Sequence, residues 1–180
     1  MSESVKFTFK IPILGEPGVG KTSLVQRYVH NKFNQDYLMT IGVAPYSRNI
    51  MSPDGHRITL SLWDIAGQER FSTQRHLMFK GSKAAILVFD LTRPQSLANL
   101  ENWHKEFMEV CPDASTIIFG NKNDLTDLRM IEKEEAEEFA KKIDAVSYLE
   151  TSAKTSNNVA EAFDIIGHHI YNKNIKLGHV

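Results

Sequence analysis

The chain has 180 residues, 42 % of them hydrophobic, with 21 basic against 22 acidic side chains and a single cysteine. That size and apolar share fit one globular domain with a sizeable core, and a net charge near zero excludes a general pull toward nucleic acid or an anionic membrane. The lone Cys111 excludes an internal disulfide and fits a reducing compartment; before Pro112 it reads as a small buried apolar residue.

The polar start Met1-Ser2-Glu3-Ser4 gives no support for a signal peptide, and no apolar run is long enough for a membrane span. Leu177-Gly178-His179-Val180 holds no cysteine for prenylation. The expectation is a cytoplasmic monomer, associated peripherally with a membrane only if a lipidated tail is missing from this sequence.

Val5, Phe7, Phe9 and Ile11 alternate with Lys6, Thr8 and Lys10, the period of a strand. Pro12 removes a ladder donor late in that strand and predicts a bulge or an unpaired position there. Gly15-Glu16-Pro17-Gly18-Val19-Gly20-Lys21-Thr22 then matches the phosphate-loop pattern of Gly, four residues, Gly-Lys and Ser or Thr. In such a loop the glycines let backbone N–H groups turn toward a polyphosphate, Lys21 reaches the β- and γ-phosphates, and the Thr22 hydroxyl takes a place on Mg²⁺. A helical run from about Thr22 to Asn31 follows, and its N-terminus adds partial positive charge at the same place.

Lys32 to Thr40 reads as a polar loop that enters a strand at Ile41-Gly42-Val43. Tyr46 to Met51 and the alternating Ile58, Leu60 and Leu62 flank Ser52-Pro53-Asp54-Gly55, which makes a hairpin. The change to polar chain at Asp64-Ile65-Ala66-Gly67 places Asp64 near the carboxyl edge of the sheet, where open α/β sheets bind ligands. Ala84 to Asp90 is a strand buried on both faces. Leu97, Leu100, Trp103 and Phe107 predict one helix with Trp103 in the core.

Thr116 to Gly120 is the next buried strand, ending on Asn121-Lys122-Asn123-Asp124. Glu132 to Lys142 predicts a solvated helix with Glu137–Lys141 and Glu138–Lys142 pairs. Val146 to Glu150 is a short strand, Thr151-Ser152-Ala153-Lys154 a loop, and Val159, Phe163, Ile166 and Ile170 mark a closing helix. The alternation implies one three-layer α/β domain over residues 1–180 with a mostly parallel sheet and short flexible ends at about 1–5 and 173–180. The seven histidines, with His168 and His169 adjacent on one helix, form no metal constellation.

Four segments stand in order: Gly15 to Thr22, Trp63 to Glu69, Asn121 to Asp124 and Thr151 to Lys154. Together they resemble the nucleotide-binding motifs of the Ras superfamily of small GTPases over essentially the whole chain. The run Phe33-Asn34-Gln35-Asp36-Tyr37 with Thr40-Ile41-Gly42-Val43, and Trp63, are most similar to the Rab branch. The resemblance implies a P-loop GTPase domain: a six-stranded sheet with one antiparallel hairpin strand and helices on both faces. It implies a GTP/GDP switch with slow Mg²⁺-dependent hydrolysis, in membrane traffic or signalling.

The same resemblance implies the site. Asp124 accepts from the guanine N1–H and amine, Asn121 braces the loops, the Lys122 stem and Leu125 lie along the base or ribose, and Ala153 N–H meets O6, with Ser152 and Lys154 beside it. Phe33 packs on the base edge or simply staples its loop to the core, and Tyr37 closes over the nucleotide or sits as a surface aromatic. Gly15, Pro17, Gly18, Val19, Gly20, Lys21, Thr22 and Ser23 hold the phosphates. Thr22 and Thr40 are the hydroxyl ligands of Mg²⁺, with Asp64 held to it through water. Thr40 and Gly67 N–H sense the γ-phosphate, and Gln68 orients the attacking water, so that Gln68, Lys21 and Thr40 carry the reaction.

Exchange factor, activating protein and effectors are implied through about 34–48 and 64–82. Arg70 and Arg75 are placed to act in cis, although surface charge is the preferred reading of both. Pro17 stands where Ser or Gly is usual, and Pro45 and Met78 replace aromatics of the Rab partner surface, so partner identity does not carry over. Two other functions compete: a guanine-nucleotide-binding interaction module with negligible hydrolysis, and a metabolic P-loop kinase or ATPase.

Overall fold

The computed structural model describes residues 6–36, 39–67 and 72–177, with side chains excepted at 72 and 73. The chain runs β1 (Lys6–Leu14), α1 (Lys21–His30), β2 (Val43–Met51), β3 (Arg57–Ile65), α2 (Ser72–Phe79), β4 (Ala84–Asp90), α3 (Pro94–Ala98), α4 (Leu100–Val110), β5 (Ser115–Asn121), α5 (Lys133–Lys142), β6 (Tyr148–Thr151) and α6 (Val159–Lys176). The six strands form one sheet in the order β2-β3-β1-β4-β5-β6. Only β2 is antiparallel, paired with β3 from Val43 opposite Ile65 to Met51 opposite Arg57. All other pairings are parallel, so the short hairpin turn and the long helical crossovers fall where connection geometry requires them.

Pro12 lies in the middle of this sheet. Its register with β3 is continuous, Pro12 opposite Trp63, so there is no bulge. Lys83 N–H donates to Lys10 O at 3.1 Å, which puts the hydrogen-bonding groups of residues 10 and 12 on the β4 side. Pairing of β1 with β4 is confined to Ile13 and Leu14. The missing donor therefore shortens one ladder and leaves the other intact.

The two faces of the sheet carry separate cores. On one, Leu24, Val25 and Tyr28 of α1 and Phe163, Ile166 and Ile170 of α6 pack against Phe9, Ile11, Leu60, Ile86 and Phe119. On the other, Phe79, Leu97, Trp103, Phe107 and Ala136 cover Leu14, Leu87, Phe89 and Ile118. β4 and β5 are buried at every residue because helices cover both sides.

Several expectations shift in detail. The single helix predicted from Leu97 to Phe107 is two helices, with Pro94 in the first turn of α3 and an i→i−3 bond from Asn102 N–H to Asn99 O, 3.1 Å, breaking the regular ladder. Residues 173–176, placed in a loose end, continue α6, and Lys173 Nζ ties that end to Asp113 O at 2.6 Å. Instead of the expected Glu137–Lys141 and Glu138–Lys142 pairs, Lys142 reaches across to Glu101 of α4 at 2.9 Å, and Glu137 pairs with Lys133, one turn back on the same helix, at 3.6 Å. Among the described residues no cluster of His, Cys, Asp or Glu could hold a metal, and no helix is long and apolar enough to cross a membrane.

Phe163 stacks on Tyr28 at 4.3 Å between centroids and meets Phe119 edge-on at 5.3 Å. Phe163→Ala should cost about 3–5 kcal/mol by removing a fully buried ring that the rigid sheet cannot replace. Urea unfolding of the nucleotide-loaded protein measures this, and a loss below about 1 kcal/mol would contradict the packing described.

Candidate nucleotide-binding site

The parallel strands β1, β3, β4, β5 and β6 end at one edge of the sheet, and the four motif segments lie in or directly after β1, β3, β5 and β6. Such an edge is where α/β sheets carry ligands. The phosphate loop leaves Leu14, the last residue of β1, and enters α1 through Gly20, whose φ of 100° is the left-handed conformation that glycine tolerates. A Cβ at Gly20 would also collide with the Asn121 amide. Val19 is fully buried, while Pro17 and Gly18 line the mouth.

Lys21 is 7 % exposed. Its Nζ donates to Gly15 O at 2.8 Å and Glu16 O at 2.9 Å, so the loop curls around the ammonium. Burial pushes its pKa down to about 8, with the Asp64 and Glu16 carboxylates opposing the shift.

Three oxygens from distant parts of the chain meet beside it. Thr22 Oγ1 donates to Asp64 Oδ2 at 2.5 Å and lies 2.7 Å from Thr40 Oγ1, which is 3.3 Å from the same carboxylate oxygen. Asp64 is fully buried, and its Oδ1 has no hydrogen-bond partner. Burial raises its pKa, against the Thr22 hydrogen bond, the Lys21 charge and the Thr40 hydrogen bond. Two hydroxyls and a carboxylate with an unsatisfied oxygen form an all-oxygen donor set, which suits a small hard cation such as Mg²⁺ rather than a soft one. Gly67 lies against the phosphate loop. A Cβ there would come within 2.6 Å of Gly15 O and Pro17 N, so only glycine allows the backbone so near.

At the other end, the Asn121 carboxamide is 1 % exposed. Its Nδ2 donates to Val19 O at 2.9 Å, and its Oδ1 accepts from Thr151 Oγ1 at 3.2 Å and from Ala153 N–H at 3.4 Å. Lys122 Nζ reaches Gly18 O at 2.8 Å and Asp90 Oδ2 at 2.7 Å. Ser152 Oγ donates to Asp124 Oδ1 at 2.6 Å, which orients a half-buried carboxylate. Phe33 packs against the α1/α6 core. Ser23 and Leu125 are half-buried and Lys154 is exposed at the rim.

Tyr37, Gln68 and Arg70 lie outside the described residues. Arg75, expected at the surface, is instead 6 % exposed. It makes a two-pronged pair with Glu106 at 3.0 Å for each bond and lies 4.4 Å over the Trp103 ring, because a planar cation between an aromatic face and a carboxylate is stable when buried. Two arginines escaped the sequence reading. Arg27 of α1 donates to Ala153 O at 2.8 Å and Lys154 O at 3.0 Å, and Arg93 donates to Pro17 O at 2.9 Å. Neither position belongs to a motif.

A phosphate loop, an oxygen-rich cluster beside it and a carboxylate-bearing loop on one edge of this sheet define a P-loop nucleotide-binding protein. The Ras family model matches residues 10–172. The chain is 44 % identical over 161 residues to the Ras-related protein Rab-9A of Rattus norvegicus, covering 87 % of this chain and 79 % of that protein. It is 39 % identical over 175 residues to the Ras-related protein Rab-8B of Homo sapiens, covering 96 % and 83 %. The chain belongs to the Ras family, as a small GTPase of the Rab branch. It is a GTP-binding switch, and the resemblance read from four short motifs holds over nearly its whole length.

The depressed Lys21 pKa has a definite sign. Between about pH 8 and the ordinary lysine value of 10.5, the unfolded chain binds a proton that the folded one has lost, so stability rises with pH in that window. Against Lys21→Met, the wild type should gain up to about 3 kcal/mol between pH 8 and 10.5. Denaturant unfolding of nucleotide-free protein at several pH values checks it; parallel curves for the two proteins would remove the shift.

Proposed function

We propose that this protein alternates between GTP- and GDP-bound forms with Mg²⁺ at the Thr22–Thr40–Asp64 cluster, and that it acts as a Rab-type regulator of membrane traffic. The observation that carries the reading is the meeting of these three oxygens beside the buried Lys21 ammonium. Thr22 and Thr40 would ligate the ion directly and Asp64 through water; Mg²⁺, when bound, neutralises developing phosphate charge.

The chain's own groups do the rest. Lys21 exchanges its two carbonyl acceptors for phosphate oxygens, gaining a charged partner for a buried cation. The N–H groups of the loop and of the first turn of α1, from Ser23 back to Gly18, receive the remaining phosphate charge. Asp124, oriented by Ser152, accepts the two adjacent donors of guanine, and adenine offers no matching donor pair to that carboxylate. The Lys122 stem and Leu125 flank the base, and Ala153 N–H, whose bond to Asn121 is long, donates to O6.

Gln68, by its place in the motif after β3, orients the attacking water. Positioning and charge stabilisation suffice for this reaction, so intrinsic turnover is slow, and a partner's arginine adds about 10³ to 10⁵ in rate. Thr40 and Gly67 are the two points at which loss of the terminal phosphate is felt, and the segments around them change surface when it leaves. Partners bind through about 34–48 and 64–82, where Met39, Ile41 and Leu77 are exposed apolar groups. The protein works as a monomer in the cytoplasm. A second reading, guanine-nucleotide binding with negligible hydrolysis, is favoured by Pro17, which deletes one N–H from the phosphate loop.

Single-turnover GTP hydrolysis separates the two. Wild type should release phosphate slowly, and Gln68→Leu at least tenfold more slowly; equal rates would remove Gln68 from the reaction and favour the binding-only reading. Base selection is tested by Asp124→Asn, which should weaken GTP by about a hundredfold and strengthen xanthosine triphosphate, since that base offers an acceptor where guanine offers its amine. No gain for the xanthine nucleotide in a competition assay would take Asp124 out of the base site.

A further inference from the structure

Three consecutive carbonyls of the phosphate loop are each held by a different side chain. Arg93 Nη1 donates to Pro17 O at 2.9 Å, Lys122 Nζ to Gly18 O at 2.8 Å and Asn121 Nδ2 to Val19 O at 2.9 Å. The peptide bonds are trans, and in a trans peptide the carbonyl and the following N–H point in opposite directions. Fixing these three oxygens therefore turns the N–H groups of Gly18, Val19 and Gly20 away from the three donors. Pro17, Gly18, Gly20 and Lys21 line the phosphate pocket, and none of the three donors does. Asn121 and Lys122 stand in the base-recognition motif. Arg93 stands in none.

We propose that Arg93 is a positioning residue for the phosphate loop: it pins the Pro17 carbonyl, aims the Gly18 N–H at the phosphates, and so slows nucleotide release. This rests on the guanine-nucleotide reading above. Pro17 has no N–H to offer a phosphate and its φ is fixed, so its carbonyl is the one polar handle by which that part of the loop can be oriented.

The mount of Arg93 is rigid. Its N–H donates to Asp90 O at 2.9 Å, and its carbonyl accepts from Ser96 Oγ at 2.6 Å and Ser96 N–H at 2.9 Å. The following Pro94 restricts it to extended backbone, observed at φ −134°, ψ 92°. Asp90 is 1 % exposed. Its Oδ1 accepts from Thr92 N–H at 2.8 Å and Thr92 Oγ1 at 2.7 Å, and its Oδ2 lies 2.7 Å from Lys122 Nζ. One buried carboxylate thus holds the turn that carries Arg93 and also the lysine that clamps the next carbonyl. The guanidinium lies close along the loop, 3.3 Å from where a Cβ of Gly18 would stand, and its charge reaches Lys21, whose pKa it helps to lower.

Release of a fluorescent GDP analogue from the Mg²⁺-loaded full chain, chased with excess GDP, tests the proposal. Arg93→Ala should release it about five- to tenfold faster, the loss expected of one charge-assisted hydrogen bond at an exposed site. Arg93→Lys should restore most of the retention, because a cationic donor reaches the same carbonyl. The thermal midpoint of the nucleotide-free variants should stay within about two degrees of wild type, whereas a merely structural role for Arg93 would lower it; in the loaded proteins weaker GDP binding would itself lower the midpoint by mass action. Release from Arg93→Ala within twofold of wild type would overturn the proposal, as would equal acceleration in the Ala and Lys variants. Failure of the wild type to retain the GDP analogue at all would overturn the guanine-nucleotide reading and this proposal with it.

Discussion

The buried carboxamide of Asn121 is the constraint on which the site depends. With its donor on Val19 O and its acceptor on Thr151 Oγ1 and Ala153 N–H, it binds the loop after β1 to the loop after β6 across the end of β5. The side chain has almost no access to water. Losing the Val19 acceptor, or both donors to Oδ1, would leave a buried polar group unsatisfied, at a cost of about 1–3 kcal/mol. That penalty keeps the phosphate loop and the loop after β6 at a fixed separation. Lys122 repeats the arrangement one residue on, joining Gly18 O to the buried Asp90. Adjacent residues of one strand end thus rigidify the loop that must present N–H groups to a polyanion, which is preorganisation obtained before any ligand arrives.

Against this rigid frame the site stores two unfavourable ionisations. Lys21 and Asp64 are both buried, and desolvation acts on each to disfavour its charged form. Their mutual attraction and the local hydrogen bonds offset the penalty only in part, and Asp64 Oδ1 keeps no partner at all. A phosphate beside Lys21 and a hard cation beside Asp64 would relieve both at once. The sequence breaks the ordinary rule against buried unpaired charge at the place where a ligand of opposite charge is expected, and stability is surrendered there for binding.

Much of this was legible from residue order because the signals are local. Alternation in Lys6 to Ile11, the continuous apolar runs at Ala84 and Thr116, and the phosphate-loop spacing each report on a few neighbouring residues, and sheet topology follows from connection rules. The α3/α4 division was not legible, since Leu97, Leu100 and Trp103 keep helical spacing across Asn99 and the break lies in one hydrogen bond. Nor was the burial of Arg75, which needs Trp103 and Glu106 brought to it by packing. Arg27 and Arg93 were missed for a similar reason. Their acceptors are backbone carbonyls 126, 127 and 76 positions away, and a carbonyl leaves no mark on side-chain pattern.

The mobile half of the mechanism follows from how differently the two ends of the site are tied. Around the proposed base pocket, polar contacts among Asn121, Asp124, Thr151, Ser152 and Ala153 reinforce one another, and Arg129 locks the same region by a two-pronged pair to Glu150 at 2.8 and 2.6 Å. At the opposite end of the site, the approach to β2 is anchored through the Thr40 hydroxyl and by Ala66 N–H donating to Gly42 O at 2.9 Å, while Met39 and Ile41 are 55 % and 77 % exposed. Few buried apolar contacts back that anchor, so local release there is cheap in free energy compared with opening the base loops. On the proposed assignment of the site, a nucleotide would stay held by its guanine and inner phosphates while the Thr40 anchor is made and broken, and a switch needs that division between a permanent grip and a conditional one.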